Sequence, residues 1–395
     1  MCRNCSGCAT VVFGLRVCWG ILLPTADSNG FAIPGTMQAA VYRGSSRVAV
    51  EEIATPSIGP GEILIRVEAC GICHTDLKKI EYNLLAPPRV YGHETAGIVA
   101  AVGSGVTKFA PGDRVVAFHH IPCRQCFYCQ RKIYAQCPVY KKVGITAGFE
   151  PAGGGFAQFV RVMDWIVEAG VERIPEGISF ERATLVEPLN TCLKAVVQCD
   201  PRPDDFVVIL GQGPIGLMFT MLTRRAVARV AARVAARVAV TDTIDARLEL
   251  AIQCGAEFAW DPRKIDVTAE VRRLTGGRGA DLVIVAASVP GIVDQAMACS
   301  RPGSRILLFA QTSATERIET SGADLCVGER TLLGCYSASI DLQAESAKLV
   351  FGGEIPVEAL ISHRLPLVKI CSGFDLALHP GPKSLKIIVQ PQRWS

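Results

Sequence analysis

Four cysteines, Cys123, Cys126, Cys129 and Cys137, stand in PCRQCFYCQRKIYAQC with the spacing C-x2-C-x2-C-x7-C. A loop this short can aim four thiolates at one tetrahedral cation, and Zn²⁺ is the usual occupant of an all-thiolate site. A ferredoxin-type iron–sulfur cluster is the rival, but its last gap is about three residues. The wider gap here and the single cluster favour zinc, and four thiolates leave no open position, so this zinc is structural. A second set of metal-binding residue types lies around it. Cys73 in ACGICHTDL and His93 in YGHETAG are 20 residues apart, Glu94 follows the histidine directly, and Glu187 comes later in VEPLNTC. A catalytic zinc takes about three protein ligands and keeps one position open for water or substrate. Cys73, His93 and a carboxylate meet that requirement, and the spacing leaves open whether Glu94 or Glu187 is the third.

The hexapeptide GQGPIG (Gly211, Gly213, Pro214, Ile215, Gly216) follows the apolar run FVVIL and opens a helix-forming stretch. In that setting the first glycine makes a tight turn and the second lets backbone approach a pyrophosphate. The third permits close helix–sheet packing, and the helix N-terminus attracts the phosphates. Asp242 ends the next strand-like run, where a carboxylate accepts hydrogen bonds from the ribose hydroxyls of NAD and repels the extra phosphate of NADP. Arg247 follows, placed to border the adenosine end. Asp242 lies 26 residues past Gly216, whereas about 20 are expected. The repeat ARVAARVAARVAV at 228–240 accounts for the excess. Its eight surplus residues add about 12 Å if helical, so they must extend past the sheet edge or loop out rather than shift the strand register. Arg225, Arg229, Arg233 and Arg237 would form a drifting stripe, read here as a solvated helix end.

These residues need two kinds of scaffold. From Met37 onward AAVYRG, RVAVEEI and EILIRVEACG read as short strands separated by turn clusters such as PSIGPGE, which implies a β-rich, loop-heavy unit. After about residue 189 the strand-like runs FVVIL, VAVTD, DLVIVAA and SRILLFA alternate with helical stretches, the pattern of a parallel sheet with helices on both faces. The fold class is therefore α/β, and 395 residues suit two domains. The expected division is 37–188 with 333–395 for the β-rich domain and 189–332 for the parallel one. Residues 1–36 carry four cysteines and a patchy apolar middle interrupted by Arg16. They read as an extension without order or assigned function. Seventeen cysteines, an odd number, suit a reducing compartment, the cytoplasm, rather than a disulfide framework. A net charge of +4 is too weak to argue for nucleic acid, and no apolar run of about 18 residues suggests a membrane span.

From Met37 to its end the chain resembles the zinc-containing medium-chain dehydrogenase/reductase family. CGICHTD, GHETAGIV, GSGVTKFAPGDRV, the four-cysteine loop, GGFAQFV, EPLNTC and GQGPIG occur in that family's order. The resemblance implies a GroES-like catalytic domain interrupted by a Rossmann domain, with the active site in the cleft between them. It implies Cys73 and His93 as catalytic zinc ligands, Glu94 as an adjacent acid that orients the site or ligates zinc, and Asp76 as a partner of the histidine. Thr75 matches the hydroxyl that hands the substrate proton outward, and His74 approaches the cofactor phosphates. Cys123, Cys126, Cys129 and Cys137 match the structural zinc lobe. Glu187, where alcohol dehydrogenases of the family place a cysteine, resembles the polyol dehydrogenases, and Cys192 nearby is read as a packing residue. Lys78 replaces the histidine that ends many proton relays. His119 and His120 read as loop residues, and Lys78 to Val90 with GITAGFEPAGG are expected to shape the substrate pocket. The implied activity is hydride transfer to NAD from a secondary alcohol: a polyol, a sugar alcohol or a threonine-like hydroxy-amino acid. The implied assembly is a homodimer or homotetramer. A catalytically silent zinc-binding relative is the competing reading.

Overall fold

The computed structural model of the protein describes residues 32–118, 121–140, 154–230, 236–310 and 317–393. The extension up to residue 31, His119, His120, nearly all of GITAGFEPAGG and the centre of the arginine–alanine–valine repeat, with the side chains of Arg229 and Arg233, lie outside the described residues.

The β-rich half rests on Ile63–Gly71, whose side chains are buried on both faces for most of its length. Such a strand must be covered on each side, and it is. It sits inside a seven-stranded sheet between Lys386–Gln390 and Glu94–Val102, which continues through Arg114–Ala117 to Val171–Arg173. Ile361–Pro366 pairs in parallel with Lys386–Gln390 at the other edge, and Phe159–Val162 also pairs Ile63–Gly71. A smaller sheet of Val48–Ala54, Thr36–Tyr42 and Arg89–Val90 packs onto the same core, in which Val41, Tyr42, Ile65, Val99 and Phe156 are fully buried. Helix α1 (His74–Glu81) leaves the end of Ile63–Gly71. Cys73 caps it in an extended conformation, its Sγ accepting the Thr75 backbone N–H at 3.5 Å.

The second half begins at helix α2 (Val186–Cys199), which presents Leu189, Leu193 and Val196 to a separate core and ends on the left-handed Asp200. Its sheet contains β1 (Phe206–Leu210), β2 (Arg237–Thr241), β3 (Phe258–Trp260), β4 (Ala280–Val285), β5 (Ser300–Leu308) and β6 (Thr331–Gly334). All five residues of β1 are buried, as a central strand with helices on both faces requires. The strands are parallel in the order β3-β2-β1-β4-β5-β6, the Rossmann order with its topological switch between β1 and β4. The boundary expected at 332–333 runs through β6, and the core on that side takes in residues as far as Leu360. Helix α3 (Pro214–Val230) runs 17 residues from the glycine turn. Beyond it β2 pairs β1 residue for residue from Arg237–Phe206 to Thr241–Leu210. The repeat thus leaves the register untouched.

Candidate active site and metal centres

The ends of two neighbouring strands bring the first metal-binding set together. Gly71 pairs with Glu94, so Cys73, two residues beyond the one strand end, faces His93, one residue before the other. A side chain on Gly71 would have to displace the Glu94 carboxylate, because its Cβ would fall 1.9 Å from Glu94 Oε2. The ligand atoms of Cys73, His93 and Glu94 lie within 4.8 Å of one another. A tetrahedral zinc with bonds of about 2.0–2.3 Å holds its ligands roughly 3.3–3.8 Å apart, so the donor set fits a zinc ion with little movement. Glu94 Oε2 is buried without a hydrogen-bond partner, as a site awaiting a cation should show. Glu187, in the first turn of α2, is buried beside this set but falls outside the 4.8 Å cluster.

Electrostatics tie these groups together. His93 Nδ1 lies 3.0 Å from Asp76 Oδ1, which orients the ring and turns Nε2 toward the Cys73 side of the metal-binding set. Burial works against the Asp76 carboxylate, but the charge and hydrogen bond of His93, with Lys79 and the Gly92 N–H, hold it below its ordinary value. Burial also disfavours an imidazolium at His93, yet the negative charges of Asp76 and Cys73 push it well up. Burial pushes Glu94 up, and Lys386 and His93 offset only part of that. For Glu187 burial leads, Glu94 and Asp76 add to it, and the group is raised to about 7.

Sequence reasoning missed Lys386. It is buried, donates to the Ile72 carbonyl at 3.1 Å and stands 2.5 Å from Glu94 Oε1. Its charge survives burial because Glu94 and Cys73 raise it. The available signal was a lone lysine opening the apolar run KIIVQ. His74, accessible at the start of α1, is lowered by desolvation and then by Lys386, Lys78 and Arg247, which marks a basic corner beside the metal set. Thr75 is exposed next to it. Cys192 is fully buried in the core under α2, its Sγ directed at the Ile215 carbonyl.

The glycine turn has the shape a pyrophosphate needs. A Cβ on Gly213 would meet nothing within 4 Å, whereas one on Gly216 would lie 1.9 Å from the Gly211 carbonyl oxygen. Open space at the second glycine and close packing at the third match the roles those positions serve. Asp242 stands at the end of β2 beside the turn, accepting from Gln212 N at 2.7 Å and Ile244 N at 2.9 Å. Arg247 lies 3.8 Å from Asp242, donates to the Ser384 carbonyl at 2.9 Å, and keeps a buried Nε without a partner. The open space at Gly213, the close packing at Gly216 and the carboxylate at the end of β2 fit an adenine dinucleotide.

The four cysteines of the lobe come together in space. Cys123 and Cys129 sulfurs are 3.9 Å apart, Cys126 and Cys129 3.5 Å, and all four lie within 4.8 Å. Tetrahedral zinc–thiolate bonds of about 2.3 Å place sulfurs about 3.8 Å apart. Cys137 is lowered to about 6 against burial by the N–H groups of Cys123, Val139 and Tyr140, while burial and its neighbours raise Cys129 to about 12.

Comparison with known proteins decides the family. The alcohol dehydrogenase GroES-like domain matches residues 59–171 and the zinc-binding dehydrogenase domain residues 225–351. The chain belongs to the zinc-containing medium-chain dehydrogenase/reductase family. It is 35% identical over 331 residues to an L-threonine 3-dehydrogenase of Pyrococcus abyssi, covering 82% of this chain and 88% of that one. It is 29% identical over 366 residues to a sorbitol dehydrogenase of Bacillus subtilis, covering 91% and 99%. Among solved structures, a protein of Sinorhizobium meliloti described as a zinc-binding dehydrogenase and bound to NADP superimposes with a TM-score of 0.80 at 28% identity, covering 91% of this chain and all of that one. The fold is that of the family, a GroES-like domain with a Rossmann sheet. The protein is an alcohol oxidoreductase of the zinc-containing, nicotinamide-linked kind. Among the described residues no helix is long and apolar enough to cross a membrane.

Proposed function

We propose that the protein oxidises a secondary hydroxyl of a polyol, a sugar alcohol or a threonine-like hydroxy-amino acid and passes the hydride to NAD. The observation that carries this is the convergence of Cys73, His93 and Glu94 on one point, with Glu187 buried beside them. A set containing carboxylates rather than two thiolates is what the sequence shares with polyol dehydrogenases, and the sorbitol and threonine enzymes among its relatives support the same substrate class.

Zinc, when bound, supplies a Lewis acid that acidifies an alcohol, and NAD supplies the hydride acceptor. Cys73 and His93 hold the metal in this reading, with Glu94 as the third ligand on distance and Glu187 as the neighbour that adjusts charge. Asp76 fixes the tautomer of His93. Thr75, exposed beside Cys73, accepts the substrate hydroxyl proton and passes it to solvent. His74 and Arg247 draw in the cofactor phosphates, and Asp242 selects NAD through the ribose. We place the enzyme in the cytoplasm as a homodimer or homotetramer; the described cysteines are all free thiols, in keeping with a reducing compartment.

Zinc quantification together with an NAD-coupled panel of polyols, diols and hydroxy-amino acids tests the reading. About two zincs per chain and NAD reduction with a member of the panel, abolished by Cys73→Ala, are expected. Metal-replete protein that binds no NADH and reduces no NAD would instead identify a catalytically silent relative.

A further inference from the structure

Residues 336–341 pass between the four-cysteine lobe and α2 and hold on to both. On the lobe side the Tyr134 hydroxyl lies 3.0 Å from both carboxylate oxygens of Asp341, and the Tyr140 hydroxyl bonds Ser337 Oγ at 2.9 Å. Ile340 packs against the lobe's small core, formed around Tyr134, Ala135 and Tyr140, and against the main core of the β-rich half. On the helix side the Asn190 side chain forms a closed pair with the Ser339 backbone, donating to its carbonyl at 3.0 Å and accepting its N–H at 2.8 Å. Lys194 adds a bond to the Tyr336 carbonyl at 2.8 Å.

Asn190 is three residues after Glu187, hence on the same face of α2. Asn190 is fully buried, so its two bonds to Ser339 are not exchanged for water. Tyr336, at the segment's start, lies within electrostatic reach of His93, Cys73 and Glu187. Both ends of the segment are thereby defined: the lobe's tyrosines at one side, the wall of the metal site at the other.

We infer that residues 336–341 are a positioning strap through which the four-cysteine lobe sets the first turn of α2, with Glu187, and Tyr336 against the metal site. Tyr134, Tyr140 and Asn190 are its positioning residues. The lobe then acts on the reaction at a distance, through the contacts of Tyr134 with Asp341, Tyr140 with Ser337, Asn190 with Ser339 and Lys194 with Tyr336, without touching substrate. The kinetic consequence rests on the alcohol dehydrogenase reading; the structural one does not.

Hydrogen exchange read by mass spectrometry on the full-length, zinc-loaded protein tests the strap. Tyr134→Phe combined with Tyr140→Phe removes two hydroxyls and no packing volume of consequence. Peptides covering 336–342 and 186–194 are expected to exchange severalfold faster, with Ile63–Gly71 unchanged. Faster exchange confined to 123–140 overturns the inference. Asp341→Asn keeps an acceptor for Tyr134 and should preserve protection, whereas Asp341→Ala should not; identical behaviour of the two also overturns it. In the kinetic arm the tyrosine double variant raises KM for the alcohol while NADH affinity stays constant. KM and NADH affinity worsening together would indicate general loosening and count against positioning. Should no alcohol be turned over by the unmodified protein, the functional reading fails and the exchange result still decides the strap.

Discussion

The ammonium of Lys386 stands 2.5 Å from Glu94 Oε1, and both side chains are buried at the junction of the last strand with the metal-binding strand ends. The pair is separated by 292 residues of sequence. Lys386 thereby offsets the charge of Glu94 itself, while Glu94 Oε2 stays buried without a hydrogen-bond partner.

Replacing Lys386 with Met strands Glu94 as a buried carboxylate. Breaking one side of such a pair costs about 3–5 kcal/mol. The loss should be largest in chelated protein and smaller after zinc loading, because a bound cation compensates the same carboxylate. Denaturant midpoints with and without zinc check this. Equal losses in both states would show that Glu94 and the metal do not share charge.

Asp76→Asn keeps the shape but weakens the anchor of His93. Groups that orient metal ligands typically account for about 10–100-fold in metal affinity. Competition with a chromophoric chelator should show one zinc released that much more readily, while the lobe zinc is unaffected. Unchanged affinity of both zincs would mean that the 3.0 Å contact does not orient the ligand.

The sequence made the ligand types legible because each sits in a compact local motif, and a strand end followed by a turn is enough to present it. The Rossmann order was legible through alternation of buried runs with helices, and β1 is as fully buried as FVVIL implies. Lys386 was not legible. Its partner is brought to it by antiparallel pairing of Ile388 with Gly71, a tertiary event with no local signature. The strap was hidden for the same reason: Asn190 and Ser339 look like ordinary polar residues until a buried two-bond pair joins them. Glu94 and Glu187 could not be ranked from spacing, since only distance separates them. The surplus ARVA units weighed on the cofactor reading, yet the β1–β2 register shows that extra residues after α3 need not disturb Asp242.

Glu187 gives the metal-free protein a pH dependence with a definite sign. Burial raises its carboxyl from an ordinary value of 4.5 to about 7. Its neutral form fits the fold, so its contribution to stability is complete below pH 4.5 and is lost as pH rises through about 7. Glu187→Gln removes the penalty. The variant should gain on the unmodified protein between pH 5 and 8, levelling at up to about 3 kcal/mol. Chelated samples melted across that range give the difference curve. A curve that stays level would mean Glu187 is ionised without cost.

Two glycines of the turn should respond differently to alanine. At Gly216 the new Cβ would stand 1.9 Å from the Gly211 oxygen and 2.8 Å from its carbonyl carbon, so the backbone of the turn must move. Gly216→Ala should lower Tm and abolish NADH binding together. At Gly213 the Cβ meets nothing in the ligand-free protein, and stability should hold. The same space is where a pyrophosphate approaches the backbone, so Gly213→Ala should weaken NADH binding severalfold with Tm unchanged and both zincs retained. Fluorescence titration with NADH beside thermal melts separates the cases. Full NADH affinity in Gly213→Ala would place the dinucleotide somewhere other than this turn.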